Sequence, residues 1–574
     1  MKIRRHVLHI FLLLMPMLFG YELFGQDLSN LDEKDPIKIT GSASANQVYY
    51  GQSGSQSGRD PYSYYLMGRL NVALYGWNIP LSYRYSNQSR SFQQPFNQFS
   101  LSPRYKWIQA HVGYSSMSFS NYTMSGHQFY GAGLELKPTN DIEVALMYGR
   151  LKRATEADTS HQNREPSFRR KAYGIQTTLK KWNGTYTFTL FRSKDEQSSL
   201  DSIPVQQGIL PEENLVLSFK TSKTLFQNFS FDLEYAGTAI TSDLRSRTND
   251  VGVPVIYNNA GAIFTPRQSS SFHKALKTSM NYQFESASLA LAYERVDPEY
   301  RTHGAYYFRN DLENITINGQ STFFEERINI SMNAGLQRDD LNNQKTQQMK
   351  RLVSSVNAGF RASDRLNINV NYSNFQSYTH VKNQFEDINN TRPYNNLDTL
   401  DFTQISQNMG FSLSYKLKST EKTRRQISLN GSWQEASSEQ GDVPVNSGSK
   451  FYNLNASYNY SIQPIGLSLN TTVNMNQSRN AGKRSSIFGP NVSVNKSFFD
   501  RKLRSSFSTS YNRSYSGGNV NSEVFNIRFS NSFKWKEQHS LQMSMIYMNR
   551  KRPDVDVEGF SEFTIRMNYN YRFK

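Results

Sequence analysis

The last fifteen residues of the chain, FSEFTIRMNYNYRFK, alternate strictly between apolar and polar side chains. An alternation of period two places one set of side chains on each face of an extended strand. At roughly 3.3 Å per residue the segment is long enough to cross a hydrocarbon layer when tilted. It is typical of the closing strand of a transmembrane β-barrel, and its predicted lipid-facing side chains are Phe563, Ile565, Met567, Tyr569, Tyr571 and Phe573.

The same alternation recurs along the chain from Ile37 onward, in segments of about ten to fifteen residues. It is clearest in the second half, for example at Leu366–Tyr372 and Ile405–Tyr415. Counting gives about 26 segments, and an even number suits a barrel with both termini in the periplasm. The sequence therefore predicts an all-β fold, a single large antiparallel transmembrane β-barrel over residues 37–574 with no separate plug.

Connections between these segments alternate between short and long throughout the chain. Lys106-Trp107 and Pro138-Thr139-Asn140-Asp141 have the composition of tight turns. If the first strand starts in the periplasm, the short turns are periplasmic and every long connection is external. The longest ones, Ser242–Ser271 and Thr379–Asp401, are polar and are the candidates to fold into the lumen and occlude it.

The first residues have the pattern of a secretory signal. Lys2, Arg4 and Arg5 precede the apolar stretch Val7–Phe19, and small residues follow before Gln26. This predicts a cleaved signal peptide over residues 1–25, a short periplasmic segment over residues 26–36, and export from the cytoplasm. The absence of cysteine excludes a lipid-anchored cysteine, a disulfide framework and a thiolate metal site.

Composition limits the classes of protein and of partner. Mean hydropathy is -0.66, and no segment after the signal approaches 18 apolar residues, which argues against a helical membrane protein. The 35 Tyr and 37 Phe suit the aromatic girdles of a barrel. Net charge is +18, and because the chain is exported, anionic lipid, an anionic solute or an acidic protein is a better candidate than nucleic acid.

A barrel of this size has a wide lumen. Strands about 4.8 Å apart and tilted about 40° give a diameter of roughly 50 Å, which inward side chains cannot fill. The lumen must hold water, folded loops or another polypeptide, and its predicted lining is dominated by Asn, Ser, Thr and Gln. The predicted inward basic residues are Arg69, Arg84, Arg104, Lys220, Lys277, Arg327, Arg361, Arg504, Arg528, Arg566 and Arg572.

Fewer acidic residues have inward phase. They are Glu143, Asp232, Glu234, Glu294 and Glu562. The excess of positive charge predicts a lumen that attracts anions. The alternative of equal weight is that these basic side chains pair with neighbours or lie at strand ends.

No catalytic pattern is apparent. The chain has nine His residues, none with a second His at ligand spacing after the signal, and it lacks G-x-S-x-G, phosphate-loop and calcium-loop motifs. A non-enzymatic protein without cofactor or metal is therefore predicted. A pairing of residues distant in sequence, for example one that uses His111, stays open.

Two short motifs carry a resemblance to a known family. The Phe24-Gly25-Gln26 junction and the Tyr571-Arg572-Phe573-Lys574 ending resemble outer-membrane β-barrel proteins of Bacteroidetes-type bacteria. The barrel is also similar to that of TonB-dependent receptors, but only about ten residues precede the first strand, too few for a plug domain. The resemblance implies a location in the outer membrane and a C-terminal signal for the insertion machinery. The strand count is similar to that of the lipopolysaccharide-export barrel, whose lumen holds a lipoprotein partner.

Two functions fit these observations. The first is a transport channel, porin-like or for export, with a polar, net basic lumen that loops or a partner occlude. The second is a non-enzymatic subunit of a larger outer-membrane complex, plugged or capped by a lipoprotein or by a periplasmic or extracellular protein.

Overall fold

The computed structural model describes residues 37–54, 61–86, 98–156, 166–201, 208–249, 251–258, 260–261, 263–306, 309–344, 350–374, 403–440, 443–444, 449–480, 483–553 and 559–573. The predicted signal peptide, the segment 26–36 and the predicted loop Thr379–Asp401 lie outside these residues.

Strands make up almost all of the described chain. In order they are β1 Ile37–Ser53, β2 Tyr62–Leu74, β3 Trp77–Ser86, β4 Gln98–Leu101, β5 Arg104–Tyr105, β6 Ile108–Ser118, β7 Ser125–Leu136, β8 Ile142–Lys152, β9 Arg169–Lys181, β10 Gly184–Glu196, β11 Glu213–Leu225, β12 Phe229–Thr241, β13 Ser270–Gln283, β14 Ala287–Val296, β15 Leu312–Phe323, β16 Ile328–Arg338, β17 Lys350–Arg361, β18 Leu366–Ser373, β19 Thr403–Lys416, β20 Thr423–Gln440, β21 Val443–Pro444, β22 Ser449–Ile462, β23 Leu467–Asn480, β24 Lys483–Phe498, β25 Leu503–Ser516, β26 Asn519–Trp535, β27 His539–Lys551 and β28 Phe560–Phe573. A short helix, α1, covers Val255–Asn258.

The strands form one closed antiparallel wall. Each pairs with the next along the chain, and β28 pairs back onto β1 from Phe573 opposite Gly41 to Ser561 opposite Ser53. Segments β4 and β5 share one position between β3 and β6, and β21 only pairs with the end of β20. The wall therefore has 28 − 2 = 26 strands, which confirms the predicted fold class. No helix among the described residues is long and apolar enough to span a membrane.

The wall has one apolar and one polar face. In β28, Phe563 is 43% exposed and Tyr569 is 41% exposed, whereas Thr564 between them is 1% exposed. Because large exposed apolar side chains belong against lipid, their face is the outward one, and the opposite face lines the lumen. By register, the six residues predicted to face lipid in this strand all share the outward face.

The first strand has small side chains on both faces near its start. Ser42 and Ser44 lie inward, and the outward positions are Gly41, Ala43 and Ala45. These small residues leave room for the aromatic end of β28. A side chain at Gly41 would contact the Arg69 carbonyl oxygen and approach the Phe573 ring to 2.8 Å.

The connections at one end of the wall are uniformly short, and most at the other end are long, as predicted. The predicted alternation of short and long connections fails twice at the second end, where two residues separate β23 from β24 and two separate β25 from β26. Gly517 and Gly518 join β25 to β26, and both have positive φ, 61° and 95°. Such angles form a two-residue hairpin, so the strands extend where other parts of the wall have a loop.

The β12–β13 connection packs on the outside of the wall. Tyr257 and Phe264 are buried against Leu215 and Ala239, which share the outward face with the exposed Tyr235. The prediction that this connection occludes the lumen is therefore wrong for its described residues. Its polar composition concealed the few aromatic side chains that attach it to the wall.

Candidate functional site in the barrel lumen

Two other connections fold into the lumen. Residues 119–124 join β6 to β7, and residues 297–306 belong to the connection between β14 and β15. They meet at a parallel bridge between Met124 and Gly304. The backbone N–H of Ser125 donates to the Gly304 carbonyl oxygen at 2.9 Å. We call these two segments together the clasp.

Side chains strengthen the contact between the two clasp segments. Thr302 Oγ1 donates to the Thr123 carbonyl oxygen at 2.7 Å, and the Tyr300 hydroxyl donates to the Tyr122 carbonyl oxygen at 2.8 Å. The Tyr122 hydroxyl in turn donates to the Glu294 carboxylate on β14 at 2.5 Å. The clasp thus links β6 and β7 to β14, which lies eight wall positions from β6 around the barrel.

The clasp covers an apolar patch on the inward face. Met124 belongs to one buried cluster, and Tyr122 and Tyr300 belong to a second. Burial of these side chains stabilises the clasp, at about 25 cal/mol per Å² of apolar surface. The lining, predicted to be dominated by Asn, Ser, Thr and Gln, is thus interrupted by apolar residues on this side. The buried inward residues beneath the clasp include Phe129, Met147, Ala172, Phe191, Val216, Ala236, Ala275 and Val296.

His303 anchors the clasp to β10 and β11. Its Nδ1 lies 2.7 Å from Ser193 Oγ, and its Nε2 lies 3.1 Å from a carboxylate oxygen of Glu212. Its backbone N–H donates to Asn214 Oδ1 at 3.1 Å. Since a carboxylate only accepts, the contacts favour the tautomer with the proton on Nε2, and Nδ1 then accepts from the serine hydroxyl.

An ion-pair network lies beside His303. Arg170 donates to both carboxylate oxygens of Asp195, at 2.7 and 2.8 Å, and to Glu212 at 2.9 Å. The side chains of Arg170 and Asp195 are only 9% and 3% exposed. Arg301 of the clasp lies 3.1 Å from the second oxygen of Glu212. A buried bidentate pair of this kind fixes geometry, and removal of one partner leaves an uncompensated buried charge.

The pKa values at this anchor differ from ordinary ones. Burial, with the positive charge of Arg170, lowers the pKa of His303 from 6.5 to about 4. Burial by itself would raise the pKa of Glu212, but the hydrogen bond from His303 and the charges of Arg170 and Arg301 outweigh it and hold this pKa below its usual range. At neutral pH the anchor therefore has a neutral imidazole beside a charged carboxylate.

The anchor should weaken in acid. Because the pKa of His303 is about 4 in the closed clasp and 6.5 when exposed, protons favour the open form as pH falls from about 6.5 to about 4. The loss reaches about 3 kcal/mol at the lower limit. We expect amide hydrogen exchange of residues 297–306, corrected for its intrinsic pH dependence, to be faster at pH 4.5 than at pH 7. His303→Gln should remove this dependence, and equal protection of the wild type at both pH values would contradict the expectation.

Ser193, His303 and Glu212 are the residue types of a hydrolytic triad, but their surroundings do not fit catalysis. Ser193 is 1% exposed beneath the clasp, so no acyl group reaches its hydroxyl. A similar set faces the lumen, with His111 Nδ1 3.3 Å from Ser102 Oγ and Nε2 2.9 Å from Glu135. The sequence left open a distant pairing that uses His111 but specified neither set, since the fold brings together residues up to 110 positions apart.

Most of the predicted inward basic residues gather on one side of the wall. Seven lie on β25–β28 and β1–β5, which are eight adjacent wall positions centred on the β1–β28 seam. By register each shares the inward face with Ser, Asn, Gln and similar residues. We call this group the arginine arc: Arg69, Arg84, Arg104, Arg504, Arg528, Arg566 and Arg572.

The other four predicted residues lie elsewhere. Lys220 and Lys277 are both directly opposite Glu234, so acidic residues accompany them on β11–β14. Arg361 is the last residue of β17. Arg327 lies in the turn 324–327 and not in a strand, so the prediction from strand phase fails for it.

Acidic residues on the inward face lie mainly away from the arginine arc. Glu143, Asp232, Glu234 and Glu294 are on β8, β12 and β14. Glu562 is in the arc, where it accepts a hydrogen bond from the Tyr50 hydroxyl at 2.9 Å. The described lumen is therefore polarised, with a basic side at the seam and a mixed, clasp-bearing side.

Two cavities along the arc have arginine pairs in their walls. One of about 560 Å³ is lined by Arg504 and Arg566, and one of about 540 Å³ is lined by Arg69 and Arg572. The Nε of Arg566 is buried and has no hydrogen-bond partner. No carboxylate in the described part of the chain lies within ion-pair distance of these four arginines.

The closed wall, apolar outside and polar over most of its lining, defines the class: a transmembrane β-barrel of the outer-membrane kind. No protein-family model matches the chain, and no curated protein matches it.

Several solved structures are similar at a low level. A chain of the E. coli P pilus tip assembly intermediate PapC-PapD-PapK-PapG has 11% identity and a TM-score of 0.42, over 92% of this chain and 60% of that chain. The P pilus usher (PapC) translocation pore has 11% identity and a TM-score of 0.36, over 94% and 100%. OccK9 of Pseudomonas aeruginosa has 9% identity and a TM-score of 0.28, over 93% and 98%.

Proposed function

We propose that the protein is an outer-membrane transport channel whose lumen favours anionic solutes. The arginine arc is the observation that carries this proposal. Seven arginines on adjacent strands face the wide lumen. Four of them line cavities, and these four have no carboxylate partner among the described residues. Guanidinium groups bind carboxylates and phosphates well, and a lumen lined by one sign of charge concentrates ions of the opposite sign.

Partial occlusion belongs to the same proposal. The clasp lies on the β6–β15 side, and the arginine arc faces the remaining opening. A solute that enters would therefore pass between the clasp and the arc. Because the ring is wide and the clasp lies on about ten of its 26 positions, a lipoprotein or another partner protein that fills the rest is the second candidate function.

We also propose that the protein lies in the outer membrane, that residues 1–25 are a cleaved signal peptide and that residues 26–36 form a short periplasmic segment. The resemblance to Bacteroidetes-type barrels belongs to the same proposal. The apolar outward face supports the location, and the basic start of the chain supports export. We also propose a non-enzymatic role without cofactor.

Ion selectivity tests this function. In planar bilayers under a salt gradient, the wild type should show a reversal potential that indicates selectivity for chloride. The lumen triple Arg69→Gln, Arg566→Gln and Arg572→Gln should shift this reversal potential by about 10 mV or more in the direction of cation selectivity, because it removes fixed positive charge from a wet lumen. The matched control is the outward triple Arg150→Gln, Lys171→Gln and Lys194→Gln, which removes the same charge from the other face of the wall. Equal shifts in both triples would contradict a role for the arc. A barrel that shows no conductance and purifies with a stoichiometric partner protein would favour the second candidate function, a barrel filled by a partner.

A further inference from the structure

Charged side chains form four rows on the outward face, at the end of the wall that carries the long connections. In each row, residues of adjacent strands are directly opposite one another. Every row has one carboxylate and two or three basic residues. The rows are Arg150–Lys171–Lys194–Glu213, Arg295–Glu313–Arg338, Glu435–Lys450–Arg479–Arg484 and Arg513–Glu523–Lys551.

Each row borders the apolar band of the outward face. Arg150 and Arg338 follow the outward Tyr148 and Leu336 by two residues, Lys450 precedes the outward Tyr452 by two, and Arg513 follows the outward Tyr511 by two. Tyr148 and Leu336 are 59% and 66% exposed, so they mark the upper part of the apolar band. The rows are therefore one strand repeat beyond this band, where lipid head groups begin.

The first and third rows each place three basic residues side by side. Like charges directly opposite on adjacent strands destabilise a sheet unless something neutralises them. Lys171 has a carboxylate partner, Glu196, at 2.5 Å, and Lys194 lies 3.7 Å from Glu213. Arg150 instead lies over the Tyr130 ring, 5.1 Å from its centroid, and the described residues give it no carboxylate.

The third row has a larger surplus. Lys450 pairs with Glu435 at 2.9 Å, and Arg484 donates to the amide oxygen of Gln477 at 2.9 Å. Among the described residues neither Arg479 nor Arg484 has a carboxylate in ion-pair range. Two separate parts of the wall thus carry basic residues without a carboxylate partner among the described residues, Arg150 in the first row and Arg479 and Arg484 in the third.

We propose that these rows bind the phosphorylated head groups of outer-leaflet glycolipids. Guanidinium and ammonium groups at the edge of the apolar band reach phosphates while their aliphatic stems stay against apolar surface. A phosphate between Arg150 and Lys171, or between Arg479 and Arg484, removes the cross-strand repulsion. The proposal assumes insertion in the outer membrane and is independent of the solute that the lumen passes.

Native mass spectrometry of the full chain in detergent tests this proposal. The probes are lipid A with its phosphates, the same glycolipid after dephosphorylation, and inorganic phosphate. We expect the wild type to bind the phosphorylated lipid, and the outward triple Arg150→Gln, Lys171→Gln and Lys194→Gln to bind it on the order of tenfold more weakly. The lumen triple Arg69→Gln, Arg566→Gln and Arg572→Gln removes the same charge and should bind like the wild type.

Several outcomes would overturn the proposal. The first is that the outward triple binds the phosphorylated lipid as well as the wild type does. The second is that the wild type binds the dephosphorylated lipid, or inorganic phosphate alone, as tightly as the phosphorylated lipid. The third is that an acidic protein, and not lipid, is found bound to these rows. If the outward triple does not fold, Lys450→Gln, Arg479→Gln and Arg484→Gln in the third row provide the same test. Loss of lipid binding with unchanged ion selectivity separates this inference from the proposed channel function.

Discussion

Replacing Arg170 by methionine is expected to release the clasp. The substitution leaves the buried Asp195 carboxylate without its cation and removes one of the two arginines at the partly buried Glu212. Breaking a buried ion pair from one side costs about 3–5 kcal/mol, and here the cost falls on the closed clasp because the open form exposes both carboxylates to water. We expect faster amide exchange over residues 297–306 and a larger single-channel conductance. Limited proteolysis after Arg301 gives an independent measurement.

The matched control removes an arginine from an exposed pair. Arg245 bonds bidentately to Asp243 on the outer connection, where both groups are solvated, so Arg245→Met should change stability by less than about 1 kcal/mol. The double variant Arg170→Met and Asp195→Leu should recover part of the loss, because it removes one of the stranded carboxylates. If Arg170→Met leaves exchange and conductance unchanged, the clasp does not depend on this pair.

Replacing Met567 by arginine is expected to impair insertion of the barrel. Met567 lies outward, midway along β28, opposite Gln47 and Met543. A positive charge at the lipid midplane costs about 2–4 kcal/mol. Urea unfolding from lipid vesicles should measure this loss, and heat-modifiable migration on gels should show less folded protein.

Asn570→Arg is the control in the same strand. Asn570 lies inward, opposite Ser44 and Ser540, where the added arginine reaches the wet lumen. It should fold and insert like the wild type. Equal impairment by the two substitutions would mean that the faces of the closing strand are assigned wrongly.

The sequence predicted the wall well, because alternation of side chains is local and a strand carries it in its own residues. The period of β28 and the number of strands follow from it directly. Where the outward positions are small, as at Gly41, Ala43 and Ala45, the apolar signal is weak and gives the phase of β1 poorly. Arg327 was misplaced because a turn has no alternating phase.

The contents of the lumen could not be predicted in the same way. The apolar character of inward residues such as Phe129 and Phe191 is explained only once the clasp is known to cover them. His303 and Ser193 meet across 110 residues, with no spacing rule that relates them. The arginine arc also depends on closure, since Arg69 and Arg572 are distant in sequence and come together only at the seam.

The seam between β1 and β28 determines the order in which this protein can be made. Asn568 donates to Asn46 across 522 residues, and thirteen residue pairs join the same two strands. Until the last strand arrives, both edges of a 26-strand sheet have unpaired backbone groups, which neither lipid nor a crowded periplasm tolerates. A chain shortened by its final strand therefore remains an open sheet prone to aggregation. The edge of the first strand therefore has to be kept from aggregating until the last strand is available. Assembly of the barrel depends on protection of this edge until the whole polypeptide is present.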